Sequence, residues 1–229
     1  MTLCVIPARG GSKRIPRKNI RPFLGRPMIA WSIAAAQEAG VFDRIVVSTD
    51  DPEIADCARA EGAEVPFMRA SKLSDDTTPT VPVIADAIAQ VSVPPDTPVC
   101  CLYATAPFVT AAALKDGLSL LNDEHARSVV SVTSFPFPIQ RALSRDDDGR
   151  IAMVDPGLMQ TRSQDLPERW HDAGQFYWAS AGVWASGGGM FDTGAHGLVL
   201  PRHRVQDIDT EEDWQRAEFM MQALQAAEG

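Results

Sequence analysis

The sequence predicts an α/β fold in which helices cover both faces of a mostly parallel β-sheet. Short, continuously apolar runs, typical of strands buried on both sides, alternate with segments of helical period along most of the 229 residues. Polar clusters follow several of these runs, at the strand ends where ligands bind in open α/β sheets. The length suits one domain that carries an insertion.

The predicted elements follow one another from the first apolar run. We predict strands at 3–6, 44–48, 63–67, 98–103, 128–132, 176–183 and 198–200. We predict helices at 28–39, from 52 onward, at 80–91, between 110 and 121, and at 210–227. The expected helix ends are N-caps at Asp51, Thr80 and Thr110, a stop at Gly40, and a capping box formed by Thr210 and Asp213.

Residues 135–167 interrupt this alternation. They contain prolines and an acidic run, Asp146 to Asp148, and they show no helical period. Their apolar side chains, which need a surface to bury against, are Phe135, Phe137, Ile139, Ile151 and Met153. We therefore predict one domain spanning 1–229, with an insertion at 135–167 whose apolar side chains indicate a homodimer.

The composition excludes several classes of protein. The net charge of −9 argues against nonspecific binding of nucleic acid. The four cysteines lack metal-ligand or disulfide-framework spacing, so we expect reduced thiols in a cytoplasmic protein. The sequence shows no charged and apolar leader pattern, and no apolar run approaches the length of a membrane span. We expect a soluble protein without membrane partners.

The loop after the first strand carries the strongest functional signal. Residues 5–20 read VIPARGGSKRIPRKNI and hold five of the chain's 21 lysine and arginine side chains. Glycines let backbone N–H groups approach an anion, Ser12 adds a hydroxyl, and the cations add charge, so the loop predicts a phosphate site. It matches neither the P-loop nor the dinucleotide fingerprint. The alternative interpretation is a solvated basic loop without a ligand.

A pair of carboxylates precedes the last helix. Asp207 and Asp209 lie on one face of an extended segment, and hard oxygen ligands opposite a phosphate loop suit Mg²⁺. Alternatively, either carboxylate simply stabilises the helix N-terminus. Asp50 and Asp51 form a competing pair, in which Asp51 is better explained as a helix cap.

The segment HDAGQFYW, residues 171–178, mixes polar and aromatic groups. Sugars need hydrogen bonds for their hydroxyls and a flat partner for their apolar face, so this composition suits a sugar site. A position in the core is an equally good interpretation of Trp178. Four histidines, His125, His171, His196 and His203, show no metal-ligand spacing, and no G-x-S-x-G indicates a serine hydrolase.

These motifs together resemble a known family. The basic loop, VSTDD (47–51), LSDD (73–76), TRSQDLPE (161–168), HDAGQFYW and DIDTEED (207–213) are similar, in order, to motifs of the cytidylyltransferases that activate nine-carbon sialic-acid-type sugars with CTP. The resemblance covers nearly the whole chain. It implies a Rossmann-like fold of the nucleotide-diphospho-sugar transferase type, in which the insertion at 135–167 is a dimerisation arm.

The resemblance also implies roles for individual residues. The catalytic residues would be Arg9, Lys18 and Asp209, and Mg²⁺ would be held by Asp207 and Asp209. The nucleotide-binding residues would be Ala8, Arg9, Gly10, Gly11, Ser12, Lys13, Lys18, Asn19, Arg69 and Thr80. The sugar-binding residues would be Tyr103, Thr105, Arg162, Gln164, His171, Asp172, Gln175 and Tyr177.

One departure from the family pattern bears on the sugar. Members that activate N-acetylneuraminic acid tend to read L-Q-P-T-S-P where this chain reads LYATAP, residues 102–107. Tyr103 thus replaces a glutamine that contacts the sugar in that subgroup, which favours pseudaminic acid. The expected reaction joins CTP and this acid into the CMP-sugar and pyrophosphate. N-acetylneuraminic, legionaminic and 3-deoxy-octulosonic acids are the alternative substrates, and a non-catalytic nucleotide-sugar-binding protein is the alternative class.

Overall fold

The computed structural model describes residues 1–122 and 126–228, so His125 lies outside the described residues. The strands are β1 (Leu3–Pro7), β2 (Pro22–Phe23), β3 (Arg26–Pro27), β4 (Arg44–Ser48), β5 (Pro98–Leu102), β6 (Ser128–Ser134), β7 (Leu143–Arg145), β8 (Ile151–Met153), β9 (Trp170–Ser180) and β10 (Ala195–Val199). The helices are α1 (Met28–Ala39), α2 (Pro52–Ala60), α3 (Thr80–Val91), α4 (Ala111–Leu121), α5 (Ala181–Ala185) and α6 (Glu211–Glu228).

The central sheet confirms the predicted α/β class. Within the described residues its strand order is β10-β6-β9-β5-β1-β4. β9 runs antiparallel to its neighbours β5 and β6, whereas the pairs β1–β4, β1–β5 and β6–β10 are parallel. The carboxyl ends of β1, β4 and β5 therefore meet at one edge of the sheet, where the loops that follow them can form a common site.

The core lies on both faces of the sheet because successive residues of each strand point to opposite sides. In β1, Cys4 and Ile6 pack with residues of α1, α2 and α4, whereas Leu3 and Val5 pack with residues of α3 and α5. Trp178 is fully buried and stacks on Phe42 with ring centroids 5.2 Å apart. The structure therefore places Trp178 in the core.

Most of the predicted helix ends are confirmed. The Asp51 carboxylate accepts from the N–H groups of Glu53 and Ile54, and the Thr110 hydroxyl accepts from that of Ala113. Gly40 ends α1 with a φ of 62°, a conformation that costs glycine little. The capping box of α6 is present, because the Thr210 hydroxyl accepts from the Asp213 N–H and the Asp213 carboxylate accepts from the Thr210 N–H.

The prediction of Thr80 as a cap was wrong. Thr80 is the first residue of α3, and the N-cap is Pro79, which has no side chain able to accept from the helix. Proline there fixes an extended backbone immediately before the helix. The Thr80 hydroxyl is consequently available to another group, and it lies 2.9 Å from the Tyr103 hydroxyl.

Three strand predictions needed correction. The segment 63–67 makes only an isolated parallel bridge, from Glu64 to Val46. β9 begins at Trp170, six residues earlier than predicted, because its first half is polar and irregularly paired with β6. Its predicted end, 181–183, is instead helix α5, since the Ser180 hydroxyl accepts from the Val183 N–H. β10 begins at Ala195 rather than 198.

The insertion contains more structure than the sequence indicated. β7 and β8 pair as an antiparallel hairpin, whose turn places Gly149 at a φ of 85°. Five of the hairpin's six residues are exposed, which explains the missing apolar period. Exposed apolar side chains in the insertion include Phe137, Ile151 and Met159. Within the described ranges, no helix has the length and apolar character needed to cross a bilayer.

Candidate active site

A pocket of about 510 Å³ opens beside the carboxyl ends of β1 and β5 and the N-terminus of α3. Among the residues that the structure describes, its lining includes five cations and three carboxylates, although the chain as a whole carries a net charge of −9. The cations are Arg9, Lys13, Arg14, Lys18 and Arg69, and the acids are Asp75, Asp76 and Asp209. This local positive excess favours an anionic ligand.

The shape of the basic loop is set by anchors at its far end. Ile15 is fully buried in a cluster with Phe108, Ile208 and Trp214, so the loop is packed against α6 and the segment before it. The Asn19 side chain donates to the Arg9 carbonyl at 2.9 Å. These contacts bring Lys18 next to Asp209, although 190 residues separate the two in sequence.

The glycines have different roles in this loop. The Gly10 N–H donates to the Asp50 carboxylate at 3.0 Å, and a Cβ at Gly10 would stand 2.5 Å from the Asp51 carboxylate. Gly10 is therefore required for close packing against the N-terminus of α2, and its N–H is already paired. Gly11 faces open space. Gly10 thus presents its N–H group to the Asp50 carboxylate, and the binding of an anion by the two glycines stays a prediction.

Arg17 joins the same loop to α2. Its backbone has a φ of 57°, which is uncommon outside glycine. Its guanidinium donates to the carboxylates of Asp51 and Glu53, the latter at 2.9 Å. The hydrogen bond from Arg17 lowers the pKa of Asp51, with help from the N–H groups that Asp51 caps. Arg17 therefore connects the basic loop to the N-terminus of α2, and it does not line the pocket.

Arg69 is the most buried of the pocket cations. Its side chain is 3% exposed, and its nearest carboxylate oxygen, on Asp50, is 3.9 Å from Nη2. Within the described residues, Nε and Nη2 have no hydrogen-bond partner. Burial lowers the pKa of Arg69, the effect of Asp50 being smaller and opposite. An arginine held in this way is costly unless a ligand supplies acceptors, so Arg69 indicates an acceptor-rich ligand in the pocket.

The other cations are paired with pocket carboxylates. Arg9 donates to Asp76 at 2.6 Å and to the Asp75 carbonyl at 2.8 Å, and Lys13 also pairs with Asp76. Arg14 lies 2.9 Å from Asp209. Lys18 donates to the Ile208 carbonyl at 2.6 Å and lies 3.4 Å from Asp209. Asp76 and Asp209 therefore neutralise the pocket cations at places where the anionic groups of a ligand could also bind.

Asp207 and Asp209 are close enough to influence each other. The pKa of Asp207 is raised, mainly by desolvation and then by repulsion from Asp209. Only Asp209 lines the pocket. No group of three or more histidine, cysteine or acidic side chains in the described ranges could hold a metal. Two carboxylates are ligands of the chemical type that Mg²⁺ takes in proteins, where substrate oxygens and water fill the remaining positions.

Tyr103 belongs to a second part of the pocket lining, which we call the Tyr103 end. It follows β5 and lines the pocket with Ala104 and Thr105. Its hydroxyl hydrogen bonds with that of Thr80, and its ring lies 5.5 Å from that of Tyr177. The Tyr177 hydroxyl in turn donates to Asp172 at 2.6 Å. Burial raises the pKa of both phenols, so both are neutral at ordinary pH.

The predicted site residues thus divide into those that line this pocket and those that do not. The pocket is lined by Arg9, Ser12, Lys13, Lys18, Asn19, Arg69, Thr80, Tyr103, Thr105 and Asp209. The remaining predicted residues, which do not line it, are Ala8, Gly10, Gly11, Arg162, Gln164, His171, Asp172, Gln175, Tyr177 and Asp207. Ala8 is buried and continues the pairing of β1, donating to the Ser48 carbonyl.

Four of the predicted sugar contacts point elsewhere in this single chain. Gln175 is buried, donates to the Arg204 carbonyl, and lines a separate cavity beside α4 and β10. The His171 ring lies 4.8 Å from Phe135. Arg162 and Gln164 are exposed in the insertion, where Arg162 pairs with Asp165 at 2.8 Å. The direction and the bulge of β9 explain the placement of His171 and Gln175, whereas Arg162 and Gln164 follow the course of the insertion.

Asp75 and Asp76 are pocket residues to which the sequence analysis gave no role. They belong to the quoted LSDD motif, which was the available signal. Asp75 closes a tight turn by accepting from the N–H groups of Thr77 and Thr78 and from the Thr78 hydroxyl. The hydrogen bond from the Thr78 hydroxyl, followed by those from the two N–H groups, lowers the pKa of Asp75 to about 2. The turn holds Asp76 toward Arg9 and Lys13. Acidic residues were not expected among phosphate-binding groups, because only the folded chain brings them to the basic loop.

Comparison with known proteins identifies the family. A family model described as "Cytidylyltransferase" matches residues 3–140, which is more than half of the chain. The chain belongs to the cytidylyltransferase family. This nucleotidyltransferase chain is 42% identical over 220 residues to a pseudaminic acid cytidylyltransferase of Campylobacter jejuni, covering 95% of each. It is 33% identical to a CMP-N,N'-diacetyllegionaminic acid synthase of Legionella pneumophila, covering 98% of each.

Solved structures agree on the fold of this cytidylyltransferase. A CMP:2-keto-3-deoxy-manno-octonic acid synthetase, solved in complex with CTP, superimposes with a TM-score of 0.73. The alignment covers 97% of this chain and 99% of the other at 16% sequence identity. The likeness therefore confirms the predicted α/β architecture.

Proposed function

We propose that this cytidylyltransferase joins pseudaminic acid to CMP, using CTP and releasing pyrophosphate. The relatives at 42% and 41% identity that carry this activity in their names support the proposed substrate. The observation that carries the proposal is the pocket itself, in which a buried, unsatisfied arginine and a basic loop surround a space large enough for a nucleotide.

The geometry suits a displacement at the α-phosphorus of CTP. The anomeric oxygen of the sugar acid forms the new bond to phosphorus, and the bond from phosphorus to the bridging oxygen of pyrophosphate breaks. The anomeric hydroxyl loses its proton, and pyrophosphate leaves with the electron pair. Arg9 and Lys18 line the pocket, and their proposed role is positioning and stabilisation of the charge that develops on the phosphates. Lys13, Ser12, Asn19 and Arg69 complete the proposed nucleotide contacts.

Mg²⁺ is the proposed cofactor, and Asp207 and Asp209 are its proposed protein ligands. When bound, the ion would supply charge neutralisation for the phosphate oxygens. Repulsion from Asp209 adds to desolvation in raising the pKa of Asp207, and a bound cation would relieve that repulsion. Arg14 and Lys18, which now pair with Asp209, would then be free to turn toward phosphate.

The sugar acid is proposed to lie at the Tyr103 end of the pocket. Thr105 lies beside Tyr103 in the lining, and Val83 adds apolar surface. A phenol offers one hydroxyl and more apolar surface than the glutamine of the N-acetylneuraminate subgroup, which suits a deoxygenated, di-N-acylated sugar. Arg162 and Gln164 of the insertion and His171 of β9 do not line this pocket, so we propose that a second copy of the chain brings them to the sugar.

A homodimer and a cytoplasmic location complete the proposal. Exposed apolar side chains on the insertion support an interface between two copies, formed by the arm at 135–167. Light scattering at micromolar concentration should give about twice 24.8 kDa, and a monomer would refute the arm assignment. All four cysteines are free, which supports a reducing compartment. We propose no nucleic-acid or membrane partner.

Pyrophosphate release tests the activity directly. The purified chain, Mg²⁺ and CTP are combined in turn with pseudaminic, N-acetylneuraminic, legionaminic and 3-deoxy-octulosonic acids. We expect release only when both substrates are present, with kcat/KM for pseudaminic acid at least roughly 10²-fold above that for N-acetylneuraminic acid. Equal or better turnover of N-acetylneuraminic acid would contradict the proposed sugar. Absence of release with every acid would favour the non-catalytic alternative.

A further inference from the structure

We propose that Asp213 is a positioning residue for the two carboxylates that are the proposed Mg²⁺ ligands. It holds the main chain of Asp209 directly and that of Asp207 through Gln206. The inference rests on the proposed function, and it gives a role in that function to a residue that does not line the pocket. This role is to fix the positions of the two ligands before a cation or a nucleotide binds.

The direct contact goes beyond what a helix cap requires. In a capping box, the acid of the first turn accepts from the N–H of the N-cap residue, and Asp213 does so with Thr210 at 2.9 Å. The same carboxylate oxygen, Oδ2, also accepts from the Asp209 N–H at 3.2 Å. Asp209 precedes the N-cap, so its N–H is not one of the donors that α6 leaves unpaired. This hydrogen bond therefore fixes the position of Asp209 rather than the start of the helix.

The other carboxylate oxygen of Asp213 contacts Gln206. Nε2 of Gln206 donates to Oδ1 of Asp213 at 3.4 Å and to the Asp207 carbonyl at 2.7 Å. A carboxamide has two N–H donors, so it can serve both acceptors at once. Asp213 is thus connected to the main chain at both proposed metal ligands.

The hydrogen bond from the Asp209 N–H does not depend on the pocket cations. The Asp209 carboxylate lies 2.9 Å from Arg14 and 3.4 Å from Lys18, and both cations line the pocket. If these cations turn toward phosphate, the Asp209 carboxylate loses both partners. Its main chain is still held, because Ile208 is buried in the core on one side and Asp213 accepts from the Asp209 N–H. The carboxylate is then presented from a fixed backbone.

Binding of Mn²⁺, used as a paramagnetic probe in place of Mg²⁺, tests this role without turnover. Mn²⁺ is titrated into the purified chain with saturating CTP and without sugar acid. The relaxation rate of water protons rises when the protein holds the Mn²⁺, so it reports the bound fraction, and a titration of CTP alone supplies the blank. The Kd for Mn²⁺ is compared between the wild type and the variants.

Asp213→Ala should raise this Kd by about 10-fold, the scale expected when a residue that orients a metal ligand is removed. Gln206→Ala should raise it by about 3-fold, because only the connection to Asp207 is lost. An unchanged Kd in Asp213→Ala would overturn the inference. An unchanged Kd in Gln206→Ala would overturn the part of it that concerns Asp207.

Two cap variants separate positioning from helix stability. Thr210→Ala removes the hydroxyl that accepts from the Asp213 N–H, but it leaves the Asp213 carboxylate on the Asp209 N–H. Thr110→Ala removes the cap of α4, outside the pocket lining. These two variants and Asp213→Ala should each lower the melting temperature by about 2–4 °C. Of the three, only Asp213→Ala should change the Kd for Mn²⁺ by more than about 2-fold. If either control raises this Kd as much, the role of Asp213 is merely structural and the inference fails.

The dependence of activity on Mg²⁺ separates this inference from the proposed function. Asp213→Ala should need about 10-fold more Mg²⁺ for half-maximal activity, whereas kcat at saturating Mg²⁺ should return to within about 3-fold of the wild-type value. A wild-type chain that is inactive with every sugar acid refutes the proposed function and this inference with it. An active wild type, whose Mg²⁺ dependence changes in Asp209→Asn but not in Asp213→Ala, refutes only this inference.

Discussion

The two ends of the pocket recognise their ligands by different physical means. At the basic loop, charged side chains meet carboxylates in contacts that are largely exposed, such as Lys13 with Asp76 and Arg14 with Asp209. At the Tyr103 end, neutral hydroxyls of Thr80, Tyr103 and Tyr177 form short, partly buried hydrogen bonds. The charged side chains of the basic loop can therefore change partners, whereas hydrogen bonds at the Tyr103 end fix the directions of the hydroxyl groups.

This difference matches the two substrates that we propose. Triphosphate oxygens are anionic in every nucleotide, so charge stabilises them without demanding one exact geometry, and salt weakens the attraction. Sugar acids differ from one another in single hydroxyl and acylamino groups, so selection among them requires donors and acceptors that cannot rearrange. The following predictions test this division, from the largest expected effect to the smallest.

Removing charge at the basic loop should have the largest effect. We expect Arg9→Ala and Lys18→Ala each to reduce kcat/KM for CTP by roughly 10²-fold or more, because both cations lie where phosphate charge would develop. Steady-state kinetics at saturating sugar acid measures this loss. Arg59→Ala, which removes an exposed cation on α2, is the matched control and should have little effect. Wild-type kinetics in the loop variants would refute the phosphate assignment.

Removing the paired carboxylates should change the dependence on metal. We expect Asp207→Asn and Asp209→Asn to raise the Mg²⁺ concentration needed for half-maximal activity by at least roughly 10-fold, since asparagine keeps the shape but loses the charge. Activity is measured across a Mg²⁺ titration after treatment with chelator. Glu212→Gln, which removes an exposed acid of the first turn of α6 that pairs with Arg216, is a useful comparison. If the dependence on Mg²⁺ is unchanged in Asp207→Asn and Asp209→Asn, these carboxylates only stabilise the N-terminus of α6.

Changing the Tyr103 end should alter selectivity more than rate. We expect Tyr103→Gln to reduce the preference for pseudaminic over N-acetylneuraminic acid by roughly 10-fold, because it restores the carboxamide of the other subgroup and breaks the contact with Thr80. Both acids are compared at saturating CTP with the same preparation. KM for CTP should stay within about 2-fold of the wild-type value. A selectivity ratio that does not move would show that the sugar is chosen elsewhere.

The smallest effect should come from removing the charge of Asp76, the acid that neutralises cations of the basic loop. Asp76 pairs with Arg9 and Lys13, and an entering triphosphate must replace it. We expect Asp76→Asn to tighten CTP binding by about 3-fold, the size expected when one exposed ion pair no longer competes. Calorimetric titration with CTP alone measures this, and Asp56→Asn controls for net charge. Weaker binding in Asp76→Asn would mean that Asp76 helps to hold the nucleotide.

Local rules predicted much of the fold and one half of the site. The caps at Asp51 and Thr110, the stop at Gly40 and the capping box at Thr210 depend on neighbours within four residues, and all are confirmed. Thr80 failed as a cap because Pro79 already fixes the entry to α3. The basic loop was recognisable because its charges are contiguous in sequence.

The sequence by itself determined the α/β class, the family and the concentration of charge at residues 9–18, since each depends on patterns that are local along the chain. Only the tertiary structure decided which acids lie beside that charge. It also decided that Gln175 lines a different cavity, and that Tyr177 packs against Tyr103 without lining the pocket. The physical reason is that the register and direction of β9 determine where its side chains point. A bulge beside Val130 and Val132 changes that direction, and it arises from pairing with β6 more than 40 residues away.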